Sequence, residues 1–265
     1  MPDLSGTLFD LSGRTAVVTG ASRGIGEAIA RRLAQHGANV VVSSRKLEPC
    51  EAVAASINEA EGREAASAFA CNISHREQLR ALVDHANDRF GPIDILVPNA
   101  AVNVHYGPSA EIDEGAIDKI LGANFKSTHF LSHMVAPQMK RGGGGGAIVI
   151  ISSISAFVGN GGIGTYGVSK AADLQLARNL AVEYGPDGIR TNCIAPGVVK
   201  TQFAEALWKD PKMEAKVTNE IPSRRFGEPD DVAGVAVMLA SPAGAWMNGA
   251  CVTVDGGTLI GSGGM

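Results

Sequence analysis

Ala16-Val17-Val18-Thr19-Gly20-Ala21-Ser22-Arg23-Gly24-Ile25-Gly26 passes from a β-branched apolar run, through three glycines, into a segment where Ile25, Ala28, Ile29 and Leu33 recur at helical spacing. A strand, a glycine turn and a helix in that order make a corner that can hold a phosphate, because the first N–H groups of the helix face the anion. In such a corner Gly20 permits the tight turn, Gly24 lets the backbone approach a pyrophosphate, and Gly26 allows close helix–sheet packing. Ser22, Arg23 and Ile25, beside them, join the glycines as candidate cofactor contacts. The spacing is G-x-x-x-G-x-G rather than the commoner G-x-G-x-x-G, and no Lys-Ser/Thr follows, so it is not a P-loop. A glycine-rich turn without any ligand has the same appearance, and the rest of the chain must decide.

Downstream, Gly37 ends the helix and Val40-Val41-Val42 resumes a strand. Residues 67–73 read as another strand, Ser74 as the cap of a helix running toward Phe90, and 93–97 as a strand ending at Pro98-Asn99-Ala100-Ala101. A long helical stretch covers 113–140, and the five glycines at 142–146 read as a flexible loop before an apolar strand at 147–151. A helix from Thr165 to near Gly185 and strands at 190–194 and 251–254 complete the pattern. This alternation predicts an α/β fold with a parallel sheet covered on both faces. No composition shift or repeat divides the chain, so residues 1–265 are read as one domain. The polar stretch 202–225, interrupted by proline, is the candidate substrate lid within it.

The 265 residues are 45% apolar and 19% charged, with a net charge of −4, which excludes a broad basic field for nucleic acid or an acidic membrane. No apolar run reaches the roughly 18–20 residues of a membrane helix. The N-terminus lacks a secretory pattern and the C-terminus is no peroxisomal address, so the expected location is cytoplasmic. Cys50, Cys71, Cys193 and Cys251 lack metal-ligand spacing and are expected to stay reduced. His129 and His133 are four apart without the glutamate a zinc pair would want, so no metal site is expected. Trp208 and Trp246 fit a lid, an interface or a core equally.

Tyr166-Gly167-Val168-Ser169-Lys170 opens the helix near Thr165, and residues at i and i+4 share a face, so Lys170 stands beside Tyr166. A phenol titrates near 10, too high for proton exchange at neutrality, and a nearby cation favours the phenolate. Ser153 ends the preceding strand, where its hydroxyl could polarise a carbonyl. Taken alone, a partly buried aromatic and a solvated lysine explain the pair better.

Thr19-Gly20-x-x-x-Gly24-x-Gly26, Asn99-Ala100, Asn124, Ser153, Tyr166-x-x-x-Lys170 and Pro196-Gly197 stand in the order and spacing of the short-chain dehydrogenase/reductase family. The resemblance covers about residues 10–257. It implies a doubly wound Rossmann fold of seven parallel strands in the order 3-2-1-4-5-6-7. It implies Tyr166 as general acid/base, and Lys170 as the residue that binds the nicotinamide ribose and depresses the tyrosine pKa. Ser153 should orient the substrate oxygen, and Asn124 should hold a water linking Lys170 to solvent. Pro196, Gly197, Val199 and Thr201 should contact the nicotinamide half of the cofactor. Two positions depart from the family pattern. Its usual Asn-Asn-Ala-Gly is Pro98-Asn99-Ala100-Ala101 here, and Asn72, followed by Ile73, stands where an acidic residue commonly meets the adenine amino group.

The implied reaction is hydride transfer between a nicotinamide and a small-molecule carbonyl or secondary alcohol, in the manner of carbonyl and retinal reductases of the family. A 3-oxoacyl-[acyl-carrier-protein] reductase, with Arg224-Arg225 as a basic rim for an acidic carrier, is the alternative, and a non-catalytic nicotinamide sensor is a third. The family also suggests a homotetramer, with the strand segment 249–257 in its contacts. Ser44 occupies the position of the acidic residue that would repel a 2′-phosphate, and Arg45 and Arg23 can receive one. NADP(H) is therefore the expected cofactor, with NAD(H) the lesser one.

Overall fold

The strand residues Thr15–Thr19 are buried at every position, as a strand covered on both faces requires. The computed structural model describes residues 8–141 and 145–261. Its sheet comprises β1 (Thr15–Thr19), β2 (Asn39–Ser44), β3 (Ala66–Ala70), β4 (Ile95–Val97), β5 (Gly146–Ile151), β6 (Ile189–Pro196) and β7 (Cys251–Val254). All pairings are parallel, in the order β3-β2-β1-β4-β5-β6-β7, as the family resemblance implies. Because strand side chains alternate, each strand feeds two cores. Ala16, Val18, Val40 and Val42 pack with Ile29 and Leu33 of α1 (Gly24–Gln35), Val53 and Ile57 of α2 (Leu47–Glu61), and Val232 and Ala236 near the C-terminal end. Val17 and Val41 face the other way, onto Leu79 and Leu82 of α3 (Arg76–Phe90) and onto Leu131 and Leu180.

The remaining helices are α4 (Glu114–Leu121), α5 (Ser127–Arg141), α6 (Gly164–Tyr184), α7 (Glu205–Trp208), α8 (Pro211–Glu220) and α9 (Pro229–Ala240). The helix expected over 113–140 is divided: a π turn at Gly122–Lys126 joins α4 to α5, and Asn124 lies in it. Hydrophobic spacing cannot reveal one inserted residue per turn, and such turns are frequent at functional sites. The strand expected to reach residue 73 stops at Ala70, and Ser74 does not cap α3. The cap position falls to His75 without a side-chain bond, while the Ser74 N–H donates to Asn72 Oδ1 at 3.2 Å. The expected loop at 142–146 lies partly outside the described residues, and Gly146 already belongs to β5. In 202–225 the prolines bound α8, Pro222 just past its end and Pro211 at its start. Pro211 opens α8 behind Asp210, whose side chain accepts from the Lys212 N–H.

Candidate active site

Strand order reverses between β1 and β4, and in open parallel sheets ligands bind beyond the carboxyl ends of strands at such a point. The glycine turn follows β1, Asn99 and Ala100 follow β4, Ser153 follows β5 and Gly197 follows β6, so the chain delivers these residues to one edge.

The turn and the end of β4 are clasped together. Thr19 Oγ1 accepts from the N–H groups of Asn99 and Ala100, both at 3.1 Å. Asn99 Nδ2 returns the contact, donating to the carbonyls of Thr19 at 2.8 Å and Gly20 at 3.2 Å. Gly20 and Gly24 both adopt left-handed backbone, φ +65° and +60°, so Gly24 serves conformation as well as close approach. A Cβ on Gly26 would lie 2.5 Å from both Asn99 Nδ2 and the Gly20 oxygen. Gly26 thus packs against the turn and its clasp. No side chain caps α1, which leaves its first N–H groups free for an anion.

Thr201 approaches the same corner from the loop after β6: its methyl lies 3.2 Å from where a Cβ on Gly24 would be. Its carbonyl accepts from Trp208 Nε1 at 2.9 Å, which gives Trp208 the task of tying α7 to this loop. Val199 is buried and bridges to Gly227. Pro196 ends β6, and the Gly197 N–H donates to the Val254 carbonyl at 2.9 Å. Trp246, by contrast, is fully exposed.

The reacting half lies on α6. Tyr166 is buried, and α6 can approach Ser153 closely because a Cβ on Gly167 would come within 2.8 Å of the Ser155 oxygen. Ser153 Oγ accepts from the Ser155 N–H at 3.1 Å, which fixes its position. Lys170 Nζ donates to the Ile151 carbonyl at 2.9 Å and to Asp173 Oδ2 at 3.1 Å. Burial pushes the Tyr166 phenol above its ordinary pKa, while the Lys170 charge and a hydrogen bond with Ser153 pull against it. Lys170 thus acts on the phenol in the expected direction, and loss of solvent outweighs it. Burial also acts to lower Lys170, but Asp173 and Tyr166 together more than reverse it and hold the ammonium above its ordinary value.

Asn124 commits its side chain to the fold. Its Oδ1 accepts from the Val102 N–H at 2.8 Å, and its Nδ2 donates to the Val102 carbonyl at 3.0 Å and to Ser169 Oγ at 2.9 Å. Its main-chain carbonyl accepts from Thr128 Oγ1 at 2.8 Å.

On the adenosine side, Ser44 ends β2 with its hydroxyl 3.1 Å from Cys50 Sγ. Arg23 and Arg45 are exposed and make no ion pair among the described residues. Asn72 Oδ1 is partly engaged by Ser74, and Ile73 packs on the core beside α3. The proposed basic rim fares differently: Arg225 pairs with Asp231 at 2.6 Å and Arg224 donates to the Asn219 carbonyl. Two contributors escaped the sequence reading. Thr19 acts through a side-chain oxygen that the glycine motif does not itself reveal, and Asp173 lies three residues after Lys170 among other polar residues of α6.

A seven-stranded parallel sheet with this edge defines a nicotinamide-dependent oxidoreductase class, and comparison with known proteins agrees. The family model described as enoyl-(acyl carrier protein) reductase matches residues 20–258. The rabbit (Oryctolagus cuniculus) dehydrogenase/reductase SDR family member 4 is 42% identical over 248 residues, 93% of this chain and 94% of the relative. A 7α-hydroxysteroid dehydrogenase, solved with NADH and 7-oxo glycochenodeoxycholic acid, superposes with a TM-score of 0.90 at 36% identity, over 97% of this chain and 98% of that one. A gluconate 5-dehydrogenase from Burkholderia cenocepacia, solved with NADP and tartrate, superposes with a TM-score of 0.89 at 31% identity, over 95% and 97% of the two chains. The chain belongs to the short-chain dehydrogenase/reductase family.

Proposed function

We propose that this protein is an NADP(H)-preferring carbonyl reductase, interconverting a ketone or aldehyde and an alcohol with Tyr166 as general acid/base. The observation that carries the reading is the buried Tyr166–Lys170 pair, flanked by Ser153 and set on the same sheet edge as the glycine corner. The residues fit the cofactor. Left-handed glycines, a helix start without a side-chain cap among the described residues, and exposed Arg23 and Arg45 suit a dinucleotide carrying a 2′-phosphate. Ser22, Ile25, Asn72, Ile73, Asn99, Ala100, Pro196, Gly197, Val199 and Thr201 complete the proposed lining.

When bound, the nicotinamide supplies the two-electron hydride step. Ser153 donates a hydrogen bond to the substrate oxygen and orients it. As the carbonyl carbon is reduced, Tyr166 gives its phenolic proton to that oxygen, and the phenolate left behind is stabilised by the Lys170 ammonium. Lys170 has a third N–H for the ribose, and the main-chain carbonyl of Asn124 holds the water that returns a proton. Because burial keeps the phenol protonated, ketone reduction should persist through neutrality and fall on the alkaline side, whereas alcohol oxidation should rise there. A pH–kcat/KM profile in each direction checks the sign.

The segment 202–225 serves as the substrate lid, within one domain that spans the chain. The groove of about 390 Å³ between α5 and α6, lined by Phe125, His129, Leu176 and Leu180, supports a homotetramer built on helix-pair contacts and the β7 edge. Among the described residues no helix is long and apolar enough to cross a membrane. Four free cysteines, three of them buried, suit a reducing compartment such as the cytoplasm. The carrier-protein alternative is weakened because Arg225 is already paired. Turnover on small ketones and on β-ketoacyl thioesters, with NADPH and with NADH, tests the reading. Preference for the thioesters, or for NADH, would redirect it, and no turnover with any carbonyl would favour a sensor.

A further inference from the structure

Asp173 is 1% exposed, and its side chain makes one hydrogen bond among the described residues, the one it accepts from Lys170 Nζ. Its other oxygen, Oδ1, has no partner there. A buried carboxylate that serves the fold collects several donors, since it accepts through two oxygens and desolvation opposes its charge. This one has the ammonium alone. Its cost is justified only by what it does for Lys170, whose other bond goes to the Ile151 carbonyl.

We infer that Asp173 is a positioning residue: with the Ile151 carbonyl it fixes the Lys170 ammonium beside Tyr166, and as counter-ion it holds that charge in place. The inference rests on the roles proposed above for Tyr166 and Lys170. Its electrostatic consequence has a definite sign. The Tyr166–Lys170 pair carries one positive charge when fully protonated and none after losing a proton, whichever group releases it. A neighbouring carboxylate stabilises the charged form, so the first proton leaves at higher pH with Asp173 than without it. The other groups facing the pair are Tyr106 from the loop before α4 and Cys193 on β6, with Cys251 and Arg178 behind Cys193. None of them supplies a second carboxylate.

The test measures kcat/KM for ketone reduction against pH in Asp173→Asn. The alkaline limb should move down by about one pH unit, while Asp173→Glu, which keeps the charge, should stay near the native midpoint. Asp173→Ser carries the same comparison if the asparagine variant does not fold. Without cofactor, Lys170→Met should lower Tm by several degrees (about 3–5 °C or more) because it strands a buried carboxylate, and adding Asp173→Asn should restore most of that loss. An unmoved alkaline midpoint in the neutral variants, or simple addition of the two Tm losses, overturns the inference. Full activity in Tyr166→Phe would overturn the parent reading with it. An inactive Tyr166→Phe alongside an unmoved Asp173→Asn midpoint would remove the role of Asp173 alone.

Discussion

The two halves of the site are made of different materials. On the adenosine side the corner is main chain: left-handed Gly20 and Gly24, the Thr19–Asn99 clasp, and a rim where Arg23 and Arg45 stand in solvent. On the reacting side it is a buried set of side chains, Tyr166, Lys170 and Asp173, each held by its neighbours. Exposed charges are screened within about 10 Å at ordinary salt, and they are individually weak. Buried charges are neither, so the reacting half should fail abruptly under substitution and the adenosine half by degrees.

Among substitutions that leave Tyr166 in place, Lys170→Met should show the largest effect. It removes the counter-charge of the phenolate and the ribose contact together, and kcat/KM for ketone reduction should fall by about 10³-fold. A loss below tenfold would erase the contrast between the halves. Ser44→Asp with Arg45→Ala comes next, exchanging two charge-assisted contacts for a repulsion of the 2′-phosphate. The ratio of kcat/KM for NADPH over NADH should drop by about 10- to 1,000-fold, most strongly at low salt. An unchanged ratio would show that the rim does not select the cofactor. Gly26→Ala should act through geometry, forcing a Cβ against Asn99 Nδ2 and the Gly20 oxygen. It should destabilise the protein by about 1–3 kcal/mol and weaken NADPH binding, with unfolding and fluorescence titrations as the checks. Smallest is Arg23→Ala, expected to raise the NADPH Kd only about two- to tenfold.

The same contrast explains what was legible in the sequence. Backbone-built parts announce themselves, because only glycine suits Gly20 and Gly24, and near-continuous apolar runs suit strands fed by two cores. The glycine corner was readable for that reason, whereas the strand order and the role of the Tyr166–Lys170 pair followed from the family resemblance. The helix α2 is equally legible in principle, since its buried Cys50, Val53, Ala54 and Ile57 stand at i, i+3, i+4 and i+7. The π turn at Asn124 escaped because its cause is tertiary: the Asn124 side chain clamps Val102 and Ser169, 22 and 45 positions away. The lowering effect of Lys170 on the tyrosine is visible in spacing, while the opposing effect of burial is not.

The central claim, that a buried tyrosine moves the proton while the glycine corner independently holds the cofactor, is tested most directly by Tyr166→Phe, assayed for ketone reduction and NADPH binding on the same preparation. The account predicts a loss of about 10²–10⁴-fold in kcat with the NADPH Kd within about threefold of native, because the phenyl ring preserves packing and removes only the hydroxyl. Near-native kcat in that variant would contradict it.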